Sequence, residues 1–263
     1  MQHSENHMNN TYDDVCYVNT FLKRVVLKLD FEDQEMTFLN DESLSKIQQI
    51  YTKYEKTQVK IVNTKIGIAS DTAVAELVSC RHVFSSQSIK PILTIGEAER
   101  SIWIETAYYD TWDAFKDSVV KIFNAIAAQF KNANASRVGL RYINQIPLNN
   151  INDTRRYFVK KIREPFVLSA MEDDISRFFI IKEYNKGEFY IRMQYGIPNQ
   201  HYPARIVAQD FILDIDVYTQ QAANFSLILD KIEIYHDHVQ SIFEESITQT
   251  LRSLMGARDN NAE

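Results

Sequence analysis

Cysteine, glycine and proline are all scarce in this chain. It has two Cys, six Gly and five Pro in 263 residues. Cys16 and Cys80 are too few for a disulfide framework and fit a reducing, cytoplasmic setting. So little Gly and Pro excludes long flexible linkers, collagen-like repeats and low-complexity architecture. The glycines are isolated, at 67, 96, 139, 187, 196 and 256, so neither a phosphate loop nor a dinucleotide fingerprint exists. A Gly-x-Ser-x-Gly elbow, a His-Glu-x-x-His helix and a Cys-x-x-Cys pair are missing as well, which removes the enzymes those motifs define. No apolar run reaches about 18 residues, so no membrane span is expected. The polar start, Met1 to Asn10, has neither the basic nor the apolar region of a signal peptide. Residues 1–15 read as a disordered tail, in which His3 and His7 are too few ligands for a metal site. Positive charge is also in deficit. Lys plus Arg total 29 against 35 Asp plus Glu, a net charge of −6. That argues against a protein that coats nucleic acid and leaves room for a local basic patch.

What remains is an ordinary globular balance, 45% hydrophobic and 24% charged. At about 150 residues per domain the length suits one large domain or two small ones, and it buries enough surface to fold without disulfide or metal. Hydrophobic periodicity predicts a strand over 20–31 and a helix over 42–55 capped by Asn40 or Asp41. Strands follow over 58–68, 77–86, 91–95 and 101–109, then a helix over 111–132. That helix carries Trp112, Phe115, Val119, Ile122, Ile126 and Phe130 on one stripe, with Trp112 as a core anchor. The order then repeats: a strand over 136–146, a short helix over 152–163 capped by Asn152 or Asp153, and strands over 174–184, 188–196 and 208–217. A three-residue loop, Asn185-Lys186-Gly187, joins the first two of these. A long helix over 226–255 closes the chain, its stripe running from Leu229 through Ile232, Tyr235, Val239, Phe243, Ile247 and Leu251 to Leu254. Helices at the ends of strand runs, rather than between single strands, predict an α+β fold of antiparallel sheets. The expectation is two similar halves, 16–134 and 135–257, each sheet covered by its long helix, with a short tail over 258–263. The boundary falls at Asn132–Ser136.

Several constellations could carry chemistry. Asp214 and Asp216 lie two apart in a strand and so share a face, with carboxylates roughly 6–7 Å apart. Such a pair can hold a hard cation or divide acid and base roles. The plainer alternative is pairing with cross-strand Arg or Lys. In Gly139-Leu-Arg-Tyr-Ile-Asn-Gln-Ile146, alternation sends Leu140, Tyr142 and Asn144 to one face and Arg141, Ile143 and Gln145 to the other. Arg141 and Asn144 offer donors to a carboxylate or phosphate, or join Asp214 and Asp216 in an internal polar network. His236 and His238 diverge by about 200° on a helix and cannot share a metal. Cys80 and His82 share a strand face, the arrangement of a nucleophile and its base, with no third orienting group identifiable. Five cations, Arg155, Arg156, Lys160, Lys161 and Arg163, crowd the short second-half helix. They form a candidate interaction surface for an acidic partner, with Tyr157 and Phe158 as apolar anchors and nucleic acid as the competing target. The 14 Tyr and 15 Phe can line a ligand pocket between sheet and long helix, or simply fill the core.

Four blocks in order give the chain a resemblance. They are Tyr109-Asp-Thr-Trp112-Asp-Ala-Phe115, Gly139-Leu-Arg-Tyr-Ile-Asn144, Leu213-Asp-Ile-Asp-Val217, and His236-Asp-His-Val-Gln-Ser-Ile-Phe243-Glu-Glu-Ser-Ile-Thr248 continuing to Met255-Gly256. Together they resemble a sporadically distributed bacterial family of uncharacterised proteins of about this length. The family has no assigned activity, cofactor or catalytic residues, so the resemblance carries none over. It implies a cytoplasmic prokaryotic protein encoded with mobile or defence genes. The leading expectation is therefore a non-enzymatic protein-interaction module, an adaptor, sensor or antitoxin-like component of a bacterial antiviral defence or toxin system, with a partner protein and no cofactor. The alternatives are a small-ligand-binding protein with a pocket between sheet and helix, and a metal-dependent hydrolase or nuclease using Asp214 and Asp216.

Overall fold

The computed structural model describes residues 16–32, 41–65, 73–130, 134–166, 177–199, 203 and 209–258. The tail expected over 1–15 and most of that over 258–263 lie outside the described residues, as do Asn40 and the boundary residues 131–133. In chain order the elements are β1 (Cys16–Tyr17), β2 (Leu22–Phe31), α1 (Asp41–Ile50), β3 (Lys53–Lys65), β4 (Ala73–Ser85), β5 (Ile92–Gly96), β6 (Ser101–Thr106), α2 (Trp112–Phe130), β7 (Asn134–Leu148), α3 (Asp153–Tyr157), α4 (Lys160–Arg163), β8 (Phe178–Asn185), β9 (Tyr190–Ile197), β10 (Gln209–Thr219), β11 (Ala223–Asn224), α5 (Ile228–Ser246), α6 (Gln249–Met255) and β12 (Ala257–Arg258). This is the mixed α+β composition expected, and every strand pairing is antiparallel.

One sheet runs through the described chain in the order β3-β4-β5-β6-β2-β7-β10-β9-β8, with β11 beside β7. Its middle is the β2–β7 pair, where Val25 faces Tyr142, Leu27 faces Leu140 and Leu29 faces Val138. Leu27, Leu29, Val138 and Leu140 have no exposed surface. Alternation puts Leu140, Tyr142, Asn144 and Ile146 on the buried face of β7 and leaves Arg141, Ile143 and Gln145 half-buried on the other. The buried residues form one continuous core that takes in β2, β5, β6, β7, β9, β10 and the buried sides of α2 and α5. The division at 134/135 therefore separates two stretches of chain that share a sheet and a core. A second, two-stranded ladder joins Cys16 to Arg258 and Tyr17 to Ala257, so the expected C-terminal boundary at 257 falls inside a paired strand.

Three helices differ from expectation. α1 stops at Ile50, and β3 starts at Lys53 inside the expected helix. The short helix expected over 152–163 is two pieces, because Phe158 and Val159 are extended. Neither Asn152 nor Asp153 caps it; the Asp153 carboxylate instead accepts from the Asn149 N–H at 2.9 Å. The long helix expected over 226–255 also breaks, since Ile247 is extended between α5 and α6. The two breaks pair with each other. Phe158 and Ile247 form an antiparallel bridge, in which Val159 N–H donates to the Ser246 carbonyl at 3.1 Å and Thr248 N–H to the Tyr157 carbonyl at 2.9 Å. Helix is given up where these cross-chain bonds replace the lost ones.

Two glycines hold backbone that other residues resist. Gly187 has φ +89° in the turn between β8 and β9, where its N–H donates to Asn185 Oδ1 at 2.8 Å. The strands pair from Asn185 to Tyr190, so the connection is one residue longer than expected. Gly196, at φ +147°, lies against β8, where a Cβ would fall 2.4 Å from the Phe178 carbonyl oxygen.

Candidate functional site

A cavity of about 700 Å³ opens beside α5, along its length from Glu233 to Glu244. Its floor is the buried face of β7, through Tyr142 and Asn144. One wall is the loop and helix start at Tyr109, Asp110, Thr111, Trp112 and Asp113. A second is α5, through Glu233, His236, Asp237, Val239, Gln240, Phe243 and Glu244. The third is the N-terminal segment with Cys16, Tyr17, Val18, Thr20 and Leu22. Local sequence explains these placements. Thr111 Oγ1 accepts from the Ala114 N–H at 3.2 Å and starts α2, the N-cap role of a threonine. An extra residue in β2 between Leu22 and Arg24 makes a bulge opposite Asn144 and Ile143. Bulges of this kind re-aim side chains next to sites. Here Leu22 and Asn144 meet at the cavity, and Asn144 Nδ2 is held by the Leu213 carbonyl at 3.2 Å.

The polar lining is a connected network. Tyr142 O–H donates to the Tyr109 hydroxyl at 3.2 Å. With its proton so placed, the Tyr142 oxygen accepts from His236 Nδ1–H at 3.0 Å. The imidazole stacks on Trp112, centroids 4.2 Å apart and 6° from parallel. Trp112 Nε1–H donates to Glu233 Oε1 at 2.9 Å, and Lys116 pairs with the same carboxylate. Burial lowers the His236 pKa to about 4, with Glu233 opposing and Lys116 assisting, so the ring is neutral near pH 7. Burial pushes the Glu233 carboxyl up, but hydrogen bonds from Lys116 and Trp112 hold it below the usual range. Burial raises both the Tyr109 and the Tyr142 phenols. At the far end, buried Glu244 accepts from Tyr17 O–H and from Arg252 Nε–H, each at 2.7 Å.

Trp112 is thus a wall of the cavity rather than the core anchor expected of it. It is only partly buried, whereas Phe115, Val119, Ile122 and Ile126 on the same stripe are buried. His236 and His238 diverge as expected, His238 lying against Phe189 at 4.6 Å.

The other candidate residues fall elsewhere. Asp214 and Asp216 lie on the opposite face of the sheet from the cavity. Arg141 grips Asp214 with two bonds of 2.8 and 2.5 Å, and Arg137 holds Asp216 at 2.8 Å. The Asp214 bond raises the Arg141 pKa against the opposing effect of burial. Burial raises the Asp216 carboxyl, with both arginines opposing. Asn144, grouped with these three in the expected network, points into the cavity instead. Among the described residues no three His, Cys, Asp or Glu side chains gather as a metal site. Both nitrogens of His82 are engaged, Nδ1 with Tyr54 Oη at 2.8 Å and Nε2 with Glu97 Oε1 at 2.7 Å. Glu97 is the orienting group that sequence spacing did not reveal. With both nitrogens occupied, His82 has none left to take a proton from Cys80.

The basic stretch is exposed and interleaved with acids. Arg156 pairs with Asp153, Lys160 with Glu164 and Lys161 with Glu245, while Arg155 is exposed and Arg163 half-buried. The expected helical spacing of Arg156, Lys160 and Arg163 is interrupted by the break at Phe158. Tyr157 and Phe158 are not surface anchors. They are 7% and 1% exposed, and Phe158 stacks on Phe211 at 4.0 Å.

No protein-family profile matches this chain, and no curated protein matches it in sequence. Three of the four sequence blocks nevertheless meet at the cavity, through Tyr109 and Trp112, Tyr142 and Asn144, and His236 and Phe243.

Two predictions follow from these contacts. Arg141→Met leaves the Asp214 carboxylate, 5% exposed, without its cation and should cost about 3 kcal/mol or more in urea denaturation. Adding Asp214→Leu should recover at least about half of that; a single loss under about 1 kcal/mol would contradict the pairing. His236 has its pKa depressed from 6.5 to about 4 by folding. Below pH 6.5 the unfolded chain binds more protons there, so its contribution is complete above pH 6.5 and drains away toward pH 4. Between pH 7 and 5 the melting temperature of the native protein should fall further than that of His236→Gln. Equal falls would show that His236 titrates normally in the folded state.

Proposed function

We propose that this protein binds a small molecule in the cavity beside α5. The observation that carries this reading is the cavity itself, which lies within the size range of small-ligand sites and combines aromatic rings with a hydrogen-bonded Tyr109–Tyr142–His236 chain. Core packing alone does not call for a buried tyrosine–histidine chain beside open volume. The carboxylates of Asp214 and Asp216 are spent on arginines, which weighs against a metal-dependent hydrolase. We also read the two strand runs as one plan used twice. In each run the first strand lies beside the last, β2 beside β6 and β7 beside β10, and the rest meander outward. On this reading the cavity lies next to the join of the two runs.

The alternative of a module for a partner protein has its own support. Among the described residues β8 is an edge strand, and Phe179, Ile181 and Tyr184 on it are 44%, 55% and 43% exposed. An apolar edge favours a partner there over the ion-paired basic stretch at 155–163. A ligand-responsive sensor in a bacterial defence or toxin system would use both surfaces.

The chain has two tryptophans, and Trp103 sits apart, flanked by the Lys28 and Arg81 cations. Trp103→Phe therefore leaves Trp112 as the sole reporter inside the cavity. A screen of small metabolites should find a compound that shifts Trp112 emission saturably and raises the melting temperature. Thr20→Phe, at the cavity mouth, should abolish both effects. A complete screen with no saturable response would contradict the reading.

A further inference from the structure

We infer that the cavity takes an organic ammonium, a small molecule carrying a protonated or quaternary amine on an apolar body. This assignment rests on the ligand-binding reading above and adds the charge of the ligand. Two independent features of the wall support it.

The first is charge. Asp110, Asp113, Glu233, Asp237 and Glu244 line the cavity, and among the described residues no lysine or arginine does. Lys116 and Arg252 reach Glu233 and Glu244 without themselves lining the space. His236 is the base at the wall, and its burial keeps it neutral. A phosphate or carboxylate ligand needs cationic or convergent N–H donors, and this wall offers it repulsion. An ammonium meets attraction that strengthens as the cavity excludes water.

The second feature is ring geometry. Tyr109 and Tyr142 have centroids 5.5 Å apart and planes at 72°. Tyr17 and Phe243 make a similar corner, 6.5 Å apart at 71°. In each pair the edge of one ring meets the face of the other, and both pairs border the cavity. The negative face of an aromatic ring attracts a cation, most strongly when the cation is desolvated. Aromatic rings and acidic side chains side by side favour an ammonium on both counts, and Glu233 and Glu244 keep their Lys116 and Arg252 partners with or without it.

The test uses one molecular shape with three charges. In the Trp103→Phe protein, Trp112 emission is titrated with phenethylammonium, 2-phenylethanol and phenylacetate. The ammonium should bind about tenfold tighter than the alcohol, and phenylacetate should bind weakest. Asp113→Asn changes an exposed residue and should leave the fold intact while narrowing the gap between ammonium and alcohol. Phe243→Leu should narrow it too, by removing one ring of a corner. A gap unchanged in both variants overturns the assignment of the cation to this wall. Equal or tighter binding of the alcohol or of phenylacetate overturns the ammonium assignment and leaves the ligand-binding reading standing. Silence of Trp112 toward all three probes overturns the ammonium assignment, and the metabolite screen then decides the ligand-binding reading.

Discussion

The β2–β7 pair is the constraint on which the rest of the molecule depends. It is the only described ladder that joins strands before residue 131 to strands after it within the large sheet. Its side chains at 27, 29, 138 and 140 are fully buried, and burial of such aliphatic groups contributes about 1.5–3 kcal/mol each. The pair also sets the register of what lies beside it. β6 takes its alignment from β2, and β10 from β7. A slip of one residue would turn Tyr142 and Asn144 out of the cavity and Arg141 into it. The bulge between Leu22 and Arg24 sits at the end of this same ladder and ends it where the cavity begins.

α5 then roofs the cavity because it is held at both ends. Asn224 Oδ1 accepts from the Ser226 N–H at 3.0 Å in the turn that leads into the helix. At the other end the bridge between Phe158 and Ile247 stops the helix and lets α6 turn back, so that Arg252 reaches Glu244. The N-terminal segment closes the remaining side. Val18 and Asn19 donate to the carbonyls of Gly256 and Met255, both at 2.9 Å, and Tyr17 O–H is tied to Glu244. The site therefore draws on the beginning, middle and end of the chain, and its shape depends on the whole sheet being formed.

Much of this was legible in the sequence where periodicity maps directly onto burial. The alternation from Gly139 to Ile146 placed Arg141 and Tyr142 on opposite faces, and Arg141 meets Asp214, one of the two acids it was matched to. The apolar stripes placed both ends of α2 and the start of α5 within about two residues, and overran the end of α5 at Ser246. The helix breaks were not legible, because Val239, Phe243, Ile247 and Leu251 keep a four-residue step straight through the extended residue at 247. Periodicity reports which side chains are buried and is blind to a short unwound step stabilised by bonds from residues 157–159. The same limit hid the burial of Tyr157 and Phe158. The cavity was hidden for a different reason. Trp112 continues a core stripe, and nothing in a one-dimensional pattern separates an aromatic that fills the core from one that borders open space. The segments 109–115, 139–144 and 236–248 each contribute residues to the cavity, whereas 213–217 contributes none.

Native-state hydrogen exchange tests most directly that one central ladder holds together the sheet on which the cavity is built. The account predicts that the slowest amides of β2 and β7 exchange with the same free energy, equal to that of global unfolding. It would be contradicted if β7–β10 stayed protected while β2–β6 opened separately at much lower free energy, because the floor of the cavity would then form without the strand that frames it.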